Sequence, residues 1–412
     1  LLNLLYAKIF RPLEILPRHL YRALYYITCR PYYIIFSRPR DQRDILINCS
    51  CSLMADHVKD VWDILKEDSR LNFYLYDCFK KRDIVDAKSH IYKRLPFKRV
   101  TKNNLKARSW DLMISPDHSR LGLLNTSNCP ILRTRHGVAS GKLITRQESA
   151  YLGSTTTFGE KMYDGSGKVR YTKMFAVSEA NKQLAVDMDA KLEDVIVAVG
   201  DLRADKMLML SENRTEIRKQ MGIKPEDKVV FVISTWGEHC LFETMGEAFF
   251  EQTELHKSEF TFMLSAHPHL YRTKKEGKRV WGEYIDTFKN KGYIIRNPQD
   301  DWMPYMIACD VICTDQTSLA VHGALLNKPY VYSHIKDDVL SEGFLPWRLR
   351  KISPKLNKNA TNLRDCLNEA LQQYPKDKLA KIAKDVNSHP GEAAKRIRKE
   401  IYDLLKFDLS PR

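Results

Sequence analysis

Apolar positions in the first forty residues recur every three or four: Leu2, Leu5, Ile9, Leu13, Leu16, Leu20 and Leu24. Lys8, Arg11, Glu14, Arg18 and Arg22 keep the same period on the opposite side. A helix with this pattern has one apolar and one basic face, and Pro12 and Pro17 divide it into two or three short pieces. Tyr21, Tyr25, Tyr26, Tyr32, Tyr33 and Phe36 add rings suited to a lipid headgroup region. Arg22, Arg30 and Arg38 keep every apolar run short of the ~20 residues that span a bilayer. Residues 1–40 are therefore expected to lie on an anionic membrane surface. A helical hairpin packed on the protein itself is the alternative. No small-residue cleavage site follows the apolar stretch, so a cleaved leader is not expected.

From residue 44 the pattern changes to short apolar runs separated by helical periods. Asp44–Ser50, Leu71–Tyr76, Asp111–Ser115, Pro130–Arg135, Met174–Val177 and Val195–Val199 read as strands, and Val58, Val61, Trp62 and Leu65 share one helical face. A charged stretch, Ser211–Lys228, precedes a second half that repeats the plan. Its strands are Val229–Ser234, Phe260–Ser265, Tyr293–Arg296, Val311–Thr314 and Tyr330–Tyr332. Helices are expected at Leu241–Phe250, around Trp281, Tyr284, Ile285 and Phe288, and over the basic residues 361–405. Strands alternating with helices predict parallel sheets of the α/β class. The expected organisation is an amphipathic segment at 1–43, an α/β half at 44–210, a doubly wound half at 211–360 and terminal helices at 361–412.

Composition narrows the partners. A chain of 412 residues exceeds a single ordinary core. The formal net charge of +16 points to nucleic acid, an anionic membrane or anionic small molecules, or else to a solvated basic surface. Zinc-finger spacing, the aromatic sheet motif of RNA readers and a helix-turn-helix pattern are all missing, so nucleic acid is not expected. Nine cysteines, an odd number without a C-x-x-C pair, argue against a disulfide framework and a structural zinc. They place the catalytic body in a reducing compartment, the cytoplasm.

Chemistry gathers where strands end. Val311–Thr314 runs into Asp315-Gln316-Thr317-Ser318, with a helix expected from Leu319 and Thr317 and Ser318 as its capping residues. Such a helix start offers N–H groups to a phosphate. Phe260–Ser265 runs into Ala266-His267-Pro268-His269, where an imidazole can act as a base or hold phosphate charge. On an extended strand His267 and His269 would share a face, but a third metal ligand is missing, so neither a metal nor another cofactor is expected. Thr235-Trp236-Gly237 and Arg135-His136-Gly137 end two more strands, and Gly200-Asp201-Leu202-Arg203-Ala204-Asp205 brings an arginine suited to bidentate phosphate contact. Neither G-x-x-x-x-G-K-[ST] nor G-x-G-x-x-G occurs, which weakens ATPase and NAD-enzyme readings.

In this order the motifs resemble those of the CDP-glycerol glycerophosphotransferase family of teichoic acid and capsule polymer synthesis, over about residues 130–400. Arg135-His136-Gly137 is similar to W-H-G, Gly200 to Asp205 to G-x-P-R-x-D, and Thr235-Trp236 to the end of A-P-T-W. Ala266-His267-Pro268 is similar to L-H-P, Thr314 to Ser318 to T-D-Y-S-S, and Ala324 to Pro329 to A-L-L-D-K-P. The chain departs from the pattern at Arg135 for Trp, Leu202 for Pro, Gln316 for Tyr, and Val321-His322-Gly323 for F-D-F.

The resemblance implies a GT-B arrangement, two Rossmann-like domains facing a cleft. It implies His136 and His267 as catalytic residues, with His136 activating the acceptor hydroxyl beside Arg135 and Gly137. It implies that Arg203, Asp205, Thr235, Trp236, Asp315, Thr317 and Ser318 hold a CDP-linked donor, and that attack at its β-phosphorus releases CMP. The transferred group is then glycerol phosphate or ribitol phosphate, the acceptor a lipid-linked or polymer chain, and the place of action the cytoplasmic face of the plasma membrane. Two alternatives stay open: a glycosyltransferase using a nucleotide sugar on the same scaffold, and an inactive membrane-bound scaffold or nucleic-acid-binding protein.

Overall fold

The computed structural model describes residues 41–49, 52–77, 97–100, 105, 110–116, 129–134, 163–164, 166–271, 280–298, 300–336, 339–340 and 342–407. The amphipathic segment expected at residues 1–40 lies outside them. Among the described residues no helix is long and apolar enough to cross a membrane.

Two parallel sheets carry the structure. The first joins β1 (Arg43–Cys49), β2 (Leu71–Asp77), β3 (Lys98–Val100), β4 (Leu112–Ser115), β5 (Ile131–Arg133), β6 (Lys173–Ala176) and β7 (Ile196–Ala198), in the order 3-2-1-4-5-6-7. The second joins β8 (Lys228–Ser234), β9 (Phe260–Ala266), β10 (Ile294–Arg296), β11 (Val311–Thr314) and β12 (Tyr330–Tyr332), in the order 10-9-8-11-12. Both start from a central strand, wind outward one way and then reverse, as doubly wound sheets do. The expected α/β, GT-B-like architecture is what the chain adopts.

The continuous apolar runs follow from burial on both faces. In β8, Val230 and Val232 face a core built with Phe242, Phe249, Phe250 and Trp281. The intervening Val229, Phe231 and Ile233 face a second core with Met207, Met303 and Ile307. In β1, Ile45 and Ile47 lie on one side and Leu46 on the other. Cys240, Cys309, Cys313 and Cys366 pack as buried free thiols.

The helices that cover the sheets include α1 (Ser52–Asp63), α2 (Glu179–Met188), α3 (Leu202–Ser211), α4 (Arg214–Gln220), α5 (Leu241–Leu255), α6 (Trp281–Asp286), α7 (Met303–Ala308) and α8 (Leu345–Lys351). Three terminal helices follow, α9 (Leu363–Gln373), α10 (Lys376–Val386) and α11 (Ala393–Leu405), and they divide between the sheets. Leu363 and Leu367 of α9 and Leu379, Ile382 and Val386 of α10 cover the second sheet. Ile397, Ile401, Tyr402 and Leu405 of α11 return to the core of the first.

Among the described residues the chain thus passes between the sheets twice, and the two crossings lie side by side. Gly200 has φ +90°, and a Cβ there would come within 3.1 Å of Ala393 Cβ, so both backbone conformation and space call for glycine. The Asp205 carboxylate accepts from the Gly391 N–H (2.8 Å), the Ala393 N–H (3.1 Å) and Asn387 Nδ2 (3.1 Å).

Asp68, on the turn between α1 and β2, anchors the returning helix. It accepts from Arg70 Nη2 at 2.7 Å and from the Tyr402 hydroxyl at 2.8 Å. The Arg70 hydrogen bond, against the opposing effect of burial and with help from Tyr402, pulls its carboxyl down to about 2. A depressed folded pKa contributes stability that is complete above the unfolded value and lost as pH falls through the folded one. The contribution, about 2 kcal/mol, is therefore expected to disappear between about pH 4 and pH 2. Asp68→Asn should flatten that part of the stability–pH curve measured by urea unfolding; an unchanged acid limb would contradict it.

Candidate active site

The parallel register sets the ends of the second sheet's strands on one edge. Ser234 pairs with Ala266, and Thr314 with Ile233 and Tyr332. Thr235, His267, Asp315 and Ser333 therefore leave the sheet next to one another, where ligands of doubly wound folds bind. Asp315 is fully buried. It accepts from Ser234 Oγ at 2.7 Å, from the Thr235 N–H at 3.0 Å and from the Leu241 N–H at 2.9 Å. Leu241 opens α5, whose cap residue Cys240 makes no side-chain cap, so Asp315 supplies that acceptor from across the sheet. The carboxylate thereby clamps the loop that carries Thr235 and Trp236.

His267 follows β9 directly, and its Nδ1 accepts the His269 N–H at 3.1 Å. An accepting Nδ1 leaves Nε2 to carry the proton of the neutral ring, which makes it a hydrogen-bond donor. The two histidines do not share a face of an extended strand as expected: β9 ends at Ala266 and Pro268–Tyr271 is a 3-10 turn. Their rings are instead stacked, 5.1 Å apart at 10°. The Trp236 indole lies 5.0 Å from His269 and 6.1 Å from His267, and at 41% exposure it offers a large aromatic face to solvent. Arg296, at the end of β10, braces this edge through Ser265 Oγ (3.1 Å) and the Asp300 carbonyl (2.7 Å). Among the described residues no group of three His, Cys, Asp or Glu could hold a metal ion.

The helix expected from Leu319 is a 3-10 segment, Ala320–Leu326, with Leu319 at its N-cap and no side-chain cap. Thr317 and Ser318 thus precede the segment and do not cap it. The segment lies close on the sheet, since a Cβ on Gly323 would fall 2.1 Å from Ile312 Cδ1, and Asn327 ends it with φ 53°. Its buried His322 directs Nδ1 to the Leu319 carbonyl (3.2 Å) and Nε2 to Asp201 Oδ2 (2.9 Å). The other Asp201 oxygen caps α3 through the Arg203 N–H at 2.8 Å. Burial acts to raise the Asp201 carboxyl, but the hydrogen bond and charge of His322, together with Arg203, outweigh it and hold it below the usual range. Arg203 Nε itself donates to Asp60 of α1 at 2.7 Å.

A family model described as CDP-glycerol:poly(glycerophosphate) glycerophosphotransferase matches residues 46–402. The chain belongs to that family. It is a transferase of the glycerophosphotransferase type. No curated protein matches it by sequence. Among solved structures, a substituted form of the wall teichoic acid polymerase TagF soaked with CDPG is similar, with a TM-score of 0.64 and 15% identity over 93% of this chain and 92% of that one. The S. aureus MnaA–UDP structure has a TM-score of 0.60 at 13% identity, over 90% of this chain and 99% of the other. The UDP-GlcNAc 2-epimerase from Neisseria meningitidis bound to UDP-GlcNAc reaches 0.51 at 14% identity, over 87% and 100%. At these identities the likeness is one of fold.

Within this glycerophosphotransferase family member, the strand-end motifs divide by position. Thr235, Trp236, His267, Asp315, Thr317 and Ser318 gather on the edge of the second sheet. Asp205 sits at the chain crossing. Arg203 stands at the start of α3, with no hydrogen bond or ion pair to His267, Thr317 or Ser318 among the described residues. Arg135, His136 and Gly137 lie outside the described residues. Lys328, in the A-L-L-D-K-P-like run, serves the fold: its Nζ donates to the carbonyls of Cys309 (2.6 Å) and Ile307 (3.2 Å) at the end of α7. His322 and Arg296 are the additions that the motifs did not single out. A histidine in place of the pattern's Asp was the only sequence signal for His322.

Proposed function

We propose that this chain transfers glycerol phosphate from CDP-glycerol to the end of a lipid-linked or polymeric acceptor in cell-surface glycopolymer synthesis. The observation that carries the reading is the imidazole of His267 at the strand edge, whose Nδ1 accepts the His269 N–H and so leaves the proton of the neutral ring on Nε2. Family membership supports the donor class. In this reading the acceptor oxygen bonds to the β-phosphorus, the bond from that phosphorus to the CMP oxygen breaks, and CMP leaves. His136 takes the acceptor proton. His267 donates to a phosphoryl oxygen, and Arg203, Thr317 and Ser318 supply further donors as charge builds on the phosphate. Trp236 offers an aromatic face to the donor. Residues 1–40 keep the enzyme at the anionic inner leaflet, where a lipid-linked acceptor waits.

Asp205, Thr235 and Asp315 support the donor indirectly. A buried carboxylate facing a diphosphate would repel it, so Asp315 acts by fixing the loop of Trp236 and Asp205 by fixing the crossing beside Arg203. The test is product analysis with an acceptor lipid primed with glycerol phosphate. CMP release from CDP-glycerol, with one glycerol phosphate added per turnover, is the expected result. Preference for CDP-ribitol would change the transferred group, and turnover of a UDP-sugar with release of UDP would overturn the reading. Failure of any cytidine nucleotide to raise the melting temperature would favour an inactive scaffold.

A further inference from the structure

His322 and Asp201 are 121 residues apart in sequence and come from different sheets, yet they meet at 2.9 Å in a buried contact. Their side chains are 3% and 12% exposed, so water does little to screen the pair. Both ring nitrogens of His322 face acceptors, the Leu319 carbonyl and the Asp201 carboxylate. The Asp201 carboxylate can only accept, so Nε2 carries the proton between them. The Trp302 ring, 5.0 Å away, holds the imidazole from the side.

The second oxygen of Asp201 is bonded to the backbone N–H of Arg203. One carboxylate thus joins the start of the arginine-bearing helix to a turn that begins immediately after Thr317 and Ser318. Arg203 is held from its other end by Asp60, so its guanidinium has a defined place relative to that turn. One member of the pair departs from the family pattern. Asp201 occupies the unspecified position of G-x-P-R-x-D, and His322 replaces the Asp of F-D-F.

We infer that His322 is a positioning residue: through Asp201 it fixes the separation between Arg203 and the Thr317–Ser318 turn, the two sides that receive the donor diphosphate. This rests on the donor site proposed above. Losing the tie leaves each wall intact but lets the two drift, which weakens donor binding while preserving the chemical step once the donor is seated.

The experiment is steady-state kinetics on the full chain with CDP-glycerol as varied substrate. His322→Phe, which fills the space without donating to Asp201, is expected to raise the donor KM about tenfold with kcat changed less than about twofold. His322→Gln, which keeps an N–H within reach of Asp201, should recover most of that loss. Asp201→Asn, which keeps an oxygen to cap α3, should raise KM similarly, and His322→Phe with Asp201→Asn should lose little more than either alone. A fall in kcat and melting temperature at unchanged KM, without recovery in His322→Gln, would show a purely structural role and overturn the inference. If the unsubstituted enzyme does not turn over CDP-glycerol, the proposed function fails separately. Hydrogen exchange then decides the positioning: amides of residues 202–205 and 319–326 should speed up together in His322→Phe, and unchanged exchange at 202–205 would overturn it.

Discussion

His267→Ala is expected to lower kcat with CDP-glycerol by about 10²–10³-fold, the usual cost of removing one positioned donor from a charge-stabilising site, with little change in melting temperature. The asymmetry follows from where the ring sits. His267 lies past the end of β9 and is half-buried, and its Nδ1 accepts from the backbone of exposed His269 rather than from a strand of the core. The core beneath is made by Phe262 and Leu264, which the substitution does not touch. His267→Gln, which keeps a side-chain N–H donor, should recover part of the loss. Full activity in His267→Ala would remove the imidazole from the mechanism. A large fall in melting temperature would assign it to the fold.

Asp315→Ala has the opposite signature. It strands the N–H groups of Thr235 and Leu241 in a buried place, each at a cost of about 1–3 kcal/mol, and leaves the Ser234 hydroxyl only its longer bond to the Thr235 carbonyl at 3.3 Å. Relaxation and entering water reduce the sum, and a loss of about 4 kcal/mol is expected from urea unfolding at unchanged m-value. Asp315→Asn should lose about half as much, because its amide oxygen still accepts while its NH2 group faces donors. Nucleotide affinity should fall along with stability, since the Trp236 loop is released. A substitution that abolished nucleotide binding while costing less than about 1 kcal/mol would show that Asp315 meets the donor directly.

The central strands were readable because burial on both faces removes polar residues from the run, as in Val229–Ser234 and Val311–Thr314. Strand β3 was not readable: Lys98 and Arg99 are exposed on the edge, and only pairing with Tyr74 to Tyr76 makes the segment a strand. The site followed the same division. Strands that run in parallel bring their ends together without any long-range information, so Thr235, His267, Asp315 and Thr317 could be placed side by side from local pattern alone. Pairings across the chain had no such signal. Asp205 looked like part of a phosphate motif, and its partners at 387–393 come from a segment about 180 residues later. His322 and Asp201 are hidden for the same reason. The basic, amphipathic pattern of residues 393–405 announced a helix but not which sheet its apolar face would cover.

The return of that helix has a consequence for biosynthesis. Ile397, Ile401, Tyr402 and Leu405 close a core whose other wall contains Ile45 and Ile47, so a helix made long after the first sheet is its cover. At ~5–20 residues per second, the ribosome needs about 10–40 s to travel the ~200 residues between β7 and α11. For much of that interval the amino-terminal sheet is outside the exit tunnel with part of its apolar surface bare, while the second sheet can already fold behind it. Premature termination ahead of α11 would thus injure the sheet that was synthesised well before it, because the apolar face that Ile397, Ile401 and Leu405 cover would stay bare.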